Sequence, residues 1–283
     1  MKKETIAMKL AKKSFESDAI QKSWKMHVQV FGKILEPAFI DDYQTRIHLT
    51  NALNHISNRK VKEGFKKLEL VEKACVTDED YTAYVFCMGL GFEMANMVEE
   101  MVACYQKTAE YGHDFYWTYL KVAKAAYNDG VYDVAKENFE QAINCLEKDN
   151  IEQQKVILGS AYTNYASCLT MMHCYDEAEN ALHHSYDILP VQQGRKTIEA
   201  ILEAAKGNND KVDLILEKIK QEETFLYDAT IKTVNDIVTK QHPHFFSINI
   251  PDENIKGFWD WFVINEEKLF NYLKMKNMML CLK

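Results

Sequence analysis

Residues 116–149 read YWTYLKVAKAAYNDGVYDVAKENFEQAINCLEKD, and this stretch decides the fold of the chain. Its second half carries Ala135, Phe139 and Ala142, which are spaced four and three residues apart and therefore share one stripe of a helix. A small residue at each end of the stripe lets a neighbouring helix approach closely, and the aromatic ring fills the gap between them. The stripe therefore predicts a helix packed closely against others.

The same stripe recurs along the chain. Two copies lie downstream and two upstream: Ala178-Leu182-Ser185, Val212-Leu216-Ile219, Met101-Tyr105-Thr108 and Gly64-Leu68-Val71. In chain order the stripes are 37, 34, 43 and 34 residues apart. The longest gap includes IEQQKVILG at 151–159, which predicts a lengthened helix and no loop.

This period resembles that of the tetratricopeptide repeat (TPR) family, in which each 34-residue unit is two antiparallel helices. The resemblance covers five units, at about 45–78, 82–115, 116–149, 159–192 and 193–226. The residues that match best are Tyr119, Ala123, Gly130, Tyr132, Ala135, Phe139 and Ala142 in the third unit, and Tyr162, Ala166, Tyr175, Ala178 and Pro190 in the fourth. The other three units are degenerate.

The resemblance implies an all-α fold, a right-handed superhelix of stacked helical hairpins with a concave inner groove. One hairpin cannot bury its own apolar face, but the next hairpin covers it. The alternative is an irregular helical bundle with accidental periodicity, which the two 34-residue offsets disfavour.

The two ends of the chain lack the stripe. Residues 1–44 show a helical rhythm of apolar residues that ends at Pro37, which fits capping helices. Residues 227–283 form a C-terminal region in which HFFSINI, at 244–250, alternates as a short strand does. Two interpretations remain open for this tail: a C-terminal cap, which we favour, or the start of an incomplete domain.

Four aromatic residues cluster behind that segment: Phe258, Trp259, Trp261 and Phe262. On a helix their rings span roughly 160° of the surface. A face this broad needs burial, against the chain itself, a partner or a second copy of the chain.

Composition limits the classes of function. The formal net charge is −8, which argues against binding to nucleic acid, although residues 1–40 are locally basic. No apolar run approaches the roughly 18 residues of a membrane span, and Lys9, Lys12 and Lys13 interrupt any signal-peptide core. The seven cysteines form no CxxC pair, which is typical of reduced thiols in a cytoplasmic protein.

Signals of an enzyme are sparse. No GxGxxG, GxxxxGK[ST], GxSxG or HExxH string occurs, and Gly89-Leu90-Gly91 is better explained by close helix packing. One cluster has ligand types that zinc accepts: Cys168, His173, Cys174, His183 and His184. Its spacing fits no zinc finger, so buried cysteine with surface histidines is the preferred interpretation. We expect no enzyme activity, no cofactor and no metal.

The resemblance places the first helix of each unit along the groove. The groove residues it implies are Trp117, Leu120, Lys121, Lys124, Tyr127, Asn128 and Asn164. Chaperone-binding members clamp a peptide carboxylate with Lys, Asn and Arg. Here Leu120, Gly194 and Ile198 occupy the remaining clamp positions, so binding of a chaperone tail is not expected. For Trp117 and Tyr127, peptide contact and packing between helices stay equally open.

Two functions follow as hypotheses. The first is a non-enzymatic scaffold that binds a protein or peptide in the concave groove. The second is a regulatory or assembly subunit that docks a partner, or a second copy as a homodimer, through the aromatic tail. Bacterial peptide-sensing regulators also use such repeats behind a DNA-binding domain, but residues 1–40 lack an obvious recognition helix.

Overall fold

The structure, a computed structural model, describes residues 5–111, 115–149 and 151–239. Throughout these ranges the fold is all-α and contains no strand, as the sequence predicts. The helices are α1 (Ile6–Phe15), α2 (Asp18–Leu35), α3 (Tyr43–Ser57), α4 (Val61–Glu72), α5 (Asp78–Met94), α6 (Val98–Glu110), α7 (Tyr116–Asn128), α8 (Tyr132–Asp149), α9 (Lys155–Met171), α10 (Tyr175–Ile188), α11 (Arg195–Ala205), α12 (Asn209–Glu222) and α13 (Thr224–Val238). A 3-10 helix, Glu152–Gln154, precedes α9.

Five connections share one length and one backbone conformation. Each is three residues long, and its middle residue has a positive φ, at Arg59, Asn96, Gly130, His173 and Gly207. The amide of the third residue donates to the carbonyl five positions earlier, at 2.8–2.9 Å in every case. This hydrogen bond, formed around a left-handed residue, satisfies a carbonyl at the end of the helix and reverses the chain. The middle residues are 37, 34, 43 and 34 positions apart, the same intervals as the side-chain stripes.

The described residues divide into two compact units, one up to Phe115 and one from Tyr116 onward. In the first unit, hairpin α3–α4 packs on hairpin α5–α6. Helices α1 and α2 pack on α3, and α2 also contacts α5. The ring of Phe31 lies 5.2 Å from that of Phe86, and the side-chain oxygen of Asn54 accepts from the Ser23 hydroxyl at 2.5 Å. The N-terminal helices therefore cover the first helices of two successive hairpins.

The second unit contains three hairpins, α7–α8, α9–α10 and α11–α12, followed by α13 against α11 and α12. Its stripe residues Ala135, Phe139, Ala142 and Ala178 are completely buried. Helix α9 has 17 residues where α7 has 13, and the 3-10 turn lies directly before it. The lengthened helix predicted at 151–159 is present only from Lys155. The expectation of no loop there was wrong, because Ile151 and the 3-10 helix Glu152–Gln154 form a short connection before α9.

Glycines in α5 let neighbouring helices approach. A Cβ on Gly89 would lie 2.7 Å from the Tyr105 ring, and one on Gly91 would lie 2.3 Å from Cε2 of Phe65. These contacts confirm that Gly89-Leu90-Gly91 serves helix packing.

Gly91→Ala is expected to lower the free energy of unfolding by about 1–3 kcal/mol, because the completely buried Phe65 ring has to move. Gly32→Ala in α2 is the matched control. Its Cβ meets nothing nearer than 3.6 Å, so alanine should be neutral or stabilise by up to about 1 kcal/mol. Urea denaturation followed by circular dichroism measures both variants, and equal effects would contradict the packing argument.

Within the described ranges, no helix combines the length and the apolar character that crossing a bilayer requires. The predicted strand at 244–250 lies outside the described residues.

Candidate functional site

The orientation of α7, α8 and α9 is fixed by tyrosine hydroxyls. Tyr162 and Tyr165 on α9 donate to Glu147 and Glu140 on α8, at 2.5 and 2.6 Å. The later residue of α9, Tyr165, contacts the earlier residue of α8, Glu140, so the two helices are antiparallel. Because α7 and α8 form a hairpin, α7 and α9 run parallel.

The register of α7 against α9 is set by one buried hydrogen bond. The hydroxyl of Tyr127 and that of Ser167 lie 2.9 Å apart, across an offset of 40 residues. The same offset relates Lys124 to Asn164, one helical turn earlier on each helix. The two predicted groove residues, Lys124 and Asn164, therefore occupy corresponding positions on these two parallel helices.

Lys124 belongs to a row of four residues on α7: Trp117, Lys121, Lys124 and Asn128. Their spacing of three to four residues keeps them on one side of the helix, and all four are partly exposed, as is Asn164. The Lys121 ammonium lies 4.7 Å from the centroid of the Trp117 ring, a cation–π distance. We call these five residues the α7–α9 face.

Two predicted groove residues lie elsewhere. Tyr127 is completely buried, with its ring 5.6 Å from that of Tyr132, and burial raises the pKa of its hydroxyl. Leu120 is only 9% exposed. Both side chains contribute to the interface between helices, so we leave them out of the α7–α9 face.

The chemistry of the face follows from its side chains. Lys121 and Lys124 supply ammonium groups, which attract carboxylates. The amide of Asn164 can both donate to and accept from a peptide backbone, whereas the Oδ1 atom of Asn128 is buried. The Trp117 ring offers rigid apolar area. The face therefore suits a segment that carries both acidic and apolar side chains.

The cysteine–histidine cluster does not assemble a metal site. Cys168 is buried and its thiol lies 3.5 Å from the Tyr132 carbonyl, whereas His173 and His183 are exposed and the His184 ring stacks on Tyr162. Across the ranges that the structure describes, no three His, Cys, Asp or Glu side chains are placed to hold a metal ion.

Sequence analysis missed the residues that orient the helices. Tyr162 matches a repeat position in the sequence, but its hydroxyl and that of Tyr165 also hydrogen-bond α9 to α8. Arg195, on α11, carries no sequence signal of its burial, although it is among the largest fully buried side chains. The four residues of the predicted docking tail, Phe258, Trp259, Trp261 and Phe262, lie outside the described residues.

No family model, no curated protein and no solved structure matches this chain.

Proposed function

We propose that the chain is a non-enzymatic scaffold of the TPR type, a superhelix of helical hairpins that binds a protein or peptide segment in its concave groove. The observation that carries the proposal is the recurrence of one three-residue turn at the intervals of the side-chain stripes. Stacked hairpins of near-constant length place their first helices side by side, and parallel first helices form a continuous face.

In this proposal the α7–α9 face is part of the groove, and its side chains indicate which kind of ligand the groove binds. Its two lysines favour an acidic segment, because opposite charges steer association and improve specificity. The partly exposed amide of Asn164 favours an extended backbone, whose unpaired amides and carbonyls need partners. The ligand we propose is therefore an acidic peptide segment with an apolar side chain that contacts Trp117.

The test is a double variant, Trp117→Ala with Lys124→Glu, compared with the wild type on an immobilised library of acidic and neutral peptides. The variant is expected to lose at least about tenfold in affinity for the acidic peptides that the wild type selects, or about 1.4 kcal/mol.

Lys148→Glu is the charge-matched control, because Lys148 is exposed at the last turn of α8 and lies outside the face. It should select peptides as the wild type does. Unchanged selection by the double variant, with an unchanged circular dichroism spectrum, would reject the groove.

A further inference from the structure

A second site lies at the other end of the second unit. A cavity of about 470 Å³ opens between the end of α10, the connection into α11 and the turn between α12 and α13. Four charged residues line it: Arg195 and Lys196 from α11, Glu222 at the end of α12 and Glu223 directly after it. The volume is within the range of small-molecule sites. None of these residues belongs to the α7–α9 face.

One wall is a rigid, buried cation. Arg195 is 2% exposed, and its Nη atoms donate to the carbonyls of Ser185, Leu189 and Pro190 at 2.7–2.9 Å. Its guanidinium stacks on Tyr186 at 3.6 Å from the ring centroid. Among the described residues, no carboxylate lies within ion-pair distance of Arg195, and its Nε has no hydrogen-bond acceptor. Its charge is stabilised by these carbonyls, by the Ser185 hydroxyl at 3.1 Å and by the Tyr186 ring, with no carboxylate among them, so this end of the cavity favours an anion.

The cavity is also lined by an ion pair that a charged ligand could replace. The Lys196 ammonium lies 2.5 Å from Glu222 and 3.7 Å from Glu223. Glu223 is held in place, because it also accepts from the Gly194 amide at 2.8 Å at the start of α11. The Glu222 side chain is 56% exposed, so it is the carboxylate of the pair that water can solvate when Lys196 takes another partner. The hydrogen bond from Lys196 lowers the pKa of Glu222, so the pair is ionised at neutral pH.

A ligand that carries both charges can replace this pair without leaving any group unpaired. A lone anion on Lys196 would displace Glu222 into water, and a lone cation on Glu222 would leave Lys196 with Glu223 only. A zwitterion gives each of the two separated side chains a new ion-pair partner. Its carboxylate meets Lys196 on the side of Arg195, and its ammonium meets the released Glu222.

The apolar part of the cavity determines which side chain the ligand carries. Apolar surface is offered by Pro190, Val191 and the ring edge of Tyr186. The Val191 side chain is 87% exposed, so a ligand can bury it. We propose that this cavity binds a small zwitterion, a free α-amino acid with an apolar side chain. The site acts independently of the proposed peptide groove, so either can fail alone.

The experiment titrates the full chain with L-leucine by saturation-transfer NMR and calorimetry, in parallel with N-acetyl-L-leucine and L-leucinamide. These two probes keep the side chain but remove one charge each. Leucine is expected to bind at millimolar concentration, and each blocked probe at least about tenfold more weakly. Absence of leucine binding, or equal binding of the three probes, overturns the proposal.

Variants locate the site. Glu222→Gln is isosteric and exposed, so it should fold, and it should weaken leucine binding at least about tenfold. Lys196→Met should do the same, whereas Lys232→Met, at an exposed lysine on α13, should leave binding unchanged. If Glu222→Gln instead strengthens binding of N-acetyl-leucine, the cavity takes a simple anion and the zwitterion proposal is wrong.

Discussion

Arg195→Met is expected to lower the free energy of unfolding of the second unit by about 2–4 kcal/mol. Methionine fills much of the same volume but donates no hydrogen bond. It therefore leaves the carbonyls of Leu189 and Pro190, just after α10, without the guanidinium donor, while the Ser185 carbonyl keeps only its hydrogen bond from the Leu189 amide. A buried acceptor that loses its partner costs about 1–3 kcal/mol, and relief from burying the charge offsets only part of the total. Urea denaturation followed by circular dichroism measures the loss.

The adjacent residue supplies the control for this prediction. Lys196→Met makes the same kind of change one position along α11, but the lysine is partly exposed and its ion pairs face solvent. Such pairs contribute about 0–1 kcal/mol. If the two variants lose equal stability, Arg195 does not hold α10 and α11 together in the way that its hydrogen bonds indicate.

The repeat could be predicted from the sequence because close packing of the hairpins requires particular side chains at regular intervals. Ala, an aromatic and Ala at helical spacing are needed wherever hairpins approach closely, so the intervals were visible before any turn was known. The turns themselves were only partly readable. Glycine at 130 and 207 indicates a left-handed residue, because glycine adopts a positive φ easily. Arg59 and His173 have the same positive φ although they are not glycine. There, hairpin packing offsets a local cost of about 1–2 kcal/mol, which no local pattern reveals.

At the candidate site too, the sequence predicts which helix a residue lies on, but not which other helices cover it. Helical spacing placed Trp117 and Tyr127 on the same helix as equal candidates. Their difference arises from α9, where Ser167 meets the Tyr127 hydroxyl, 40 residues away in sequence. Arg195 was missed for a related reason. A basic residue at the start of a helix is usually exposed, and only the position of the end of α10 makes this one buried.

The first unit has its own buried charge with several partners, Asp80 at the start of α5, which is 6% exposed. One carboxylate oxygen accepts from the Phe39 amide at 2.7 Å, and the other accepts from the amides of Val76 and Thr77 at 3.2 and 3.1 Å. The Thr77 hydroxyl accepts from the Asp80 amide in return, which completes a capping box. One side chain thus joins the segment before α3 to the turn between α4 and α5.

Asp80→Ala is expected to lower the free energy of unfolding of the first unit by about 2–4 kcal/mol, because three amides lose a charged acceptor and α5 loses its cap. Glu79→Ala is the matched control: the residue precedes Asp80 in the same first turn but is exposed, so the change should stay within about 0.5 kcal/mol. Hydrogen exchange adds a local readout, since the Phe39 amide should lose protection in Asp80→Ala even under conditions where the unit remains folded. A Phe39 amide that stays protected would show that another contact holds this segment on α5, and that the carboxylate is not its anchor.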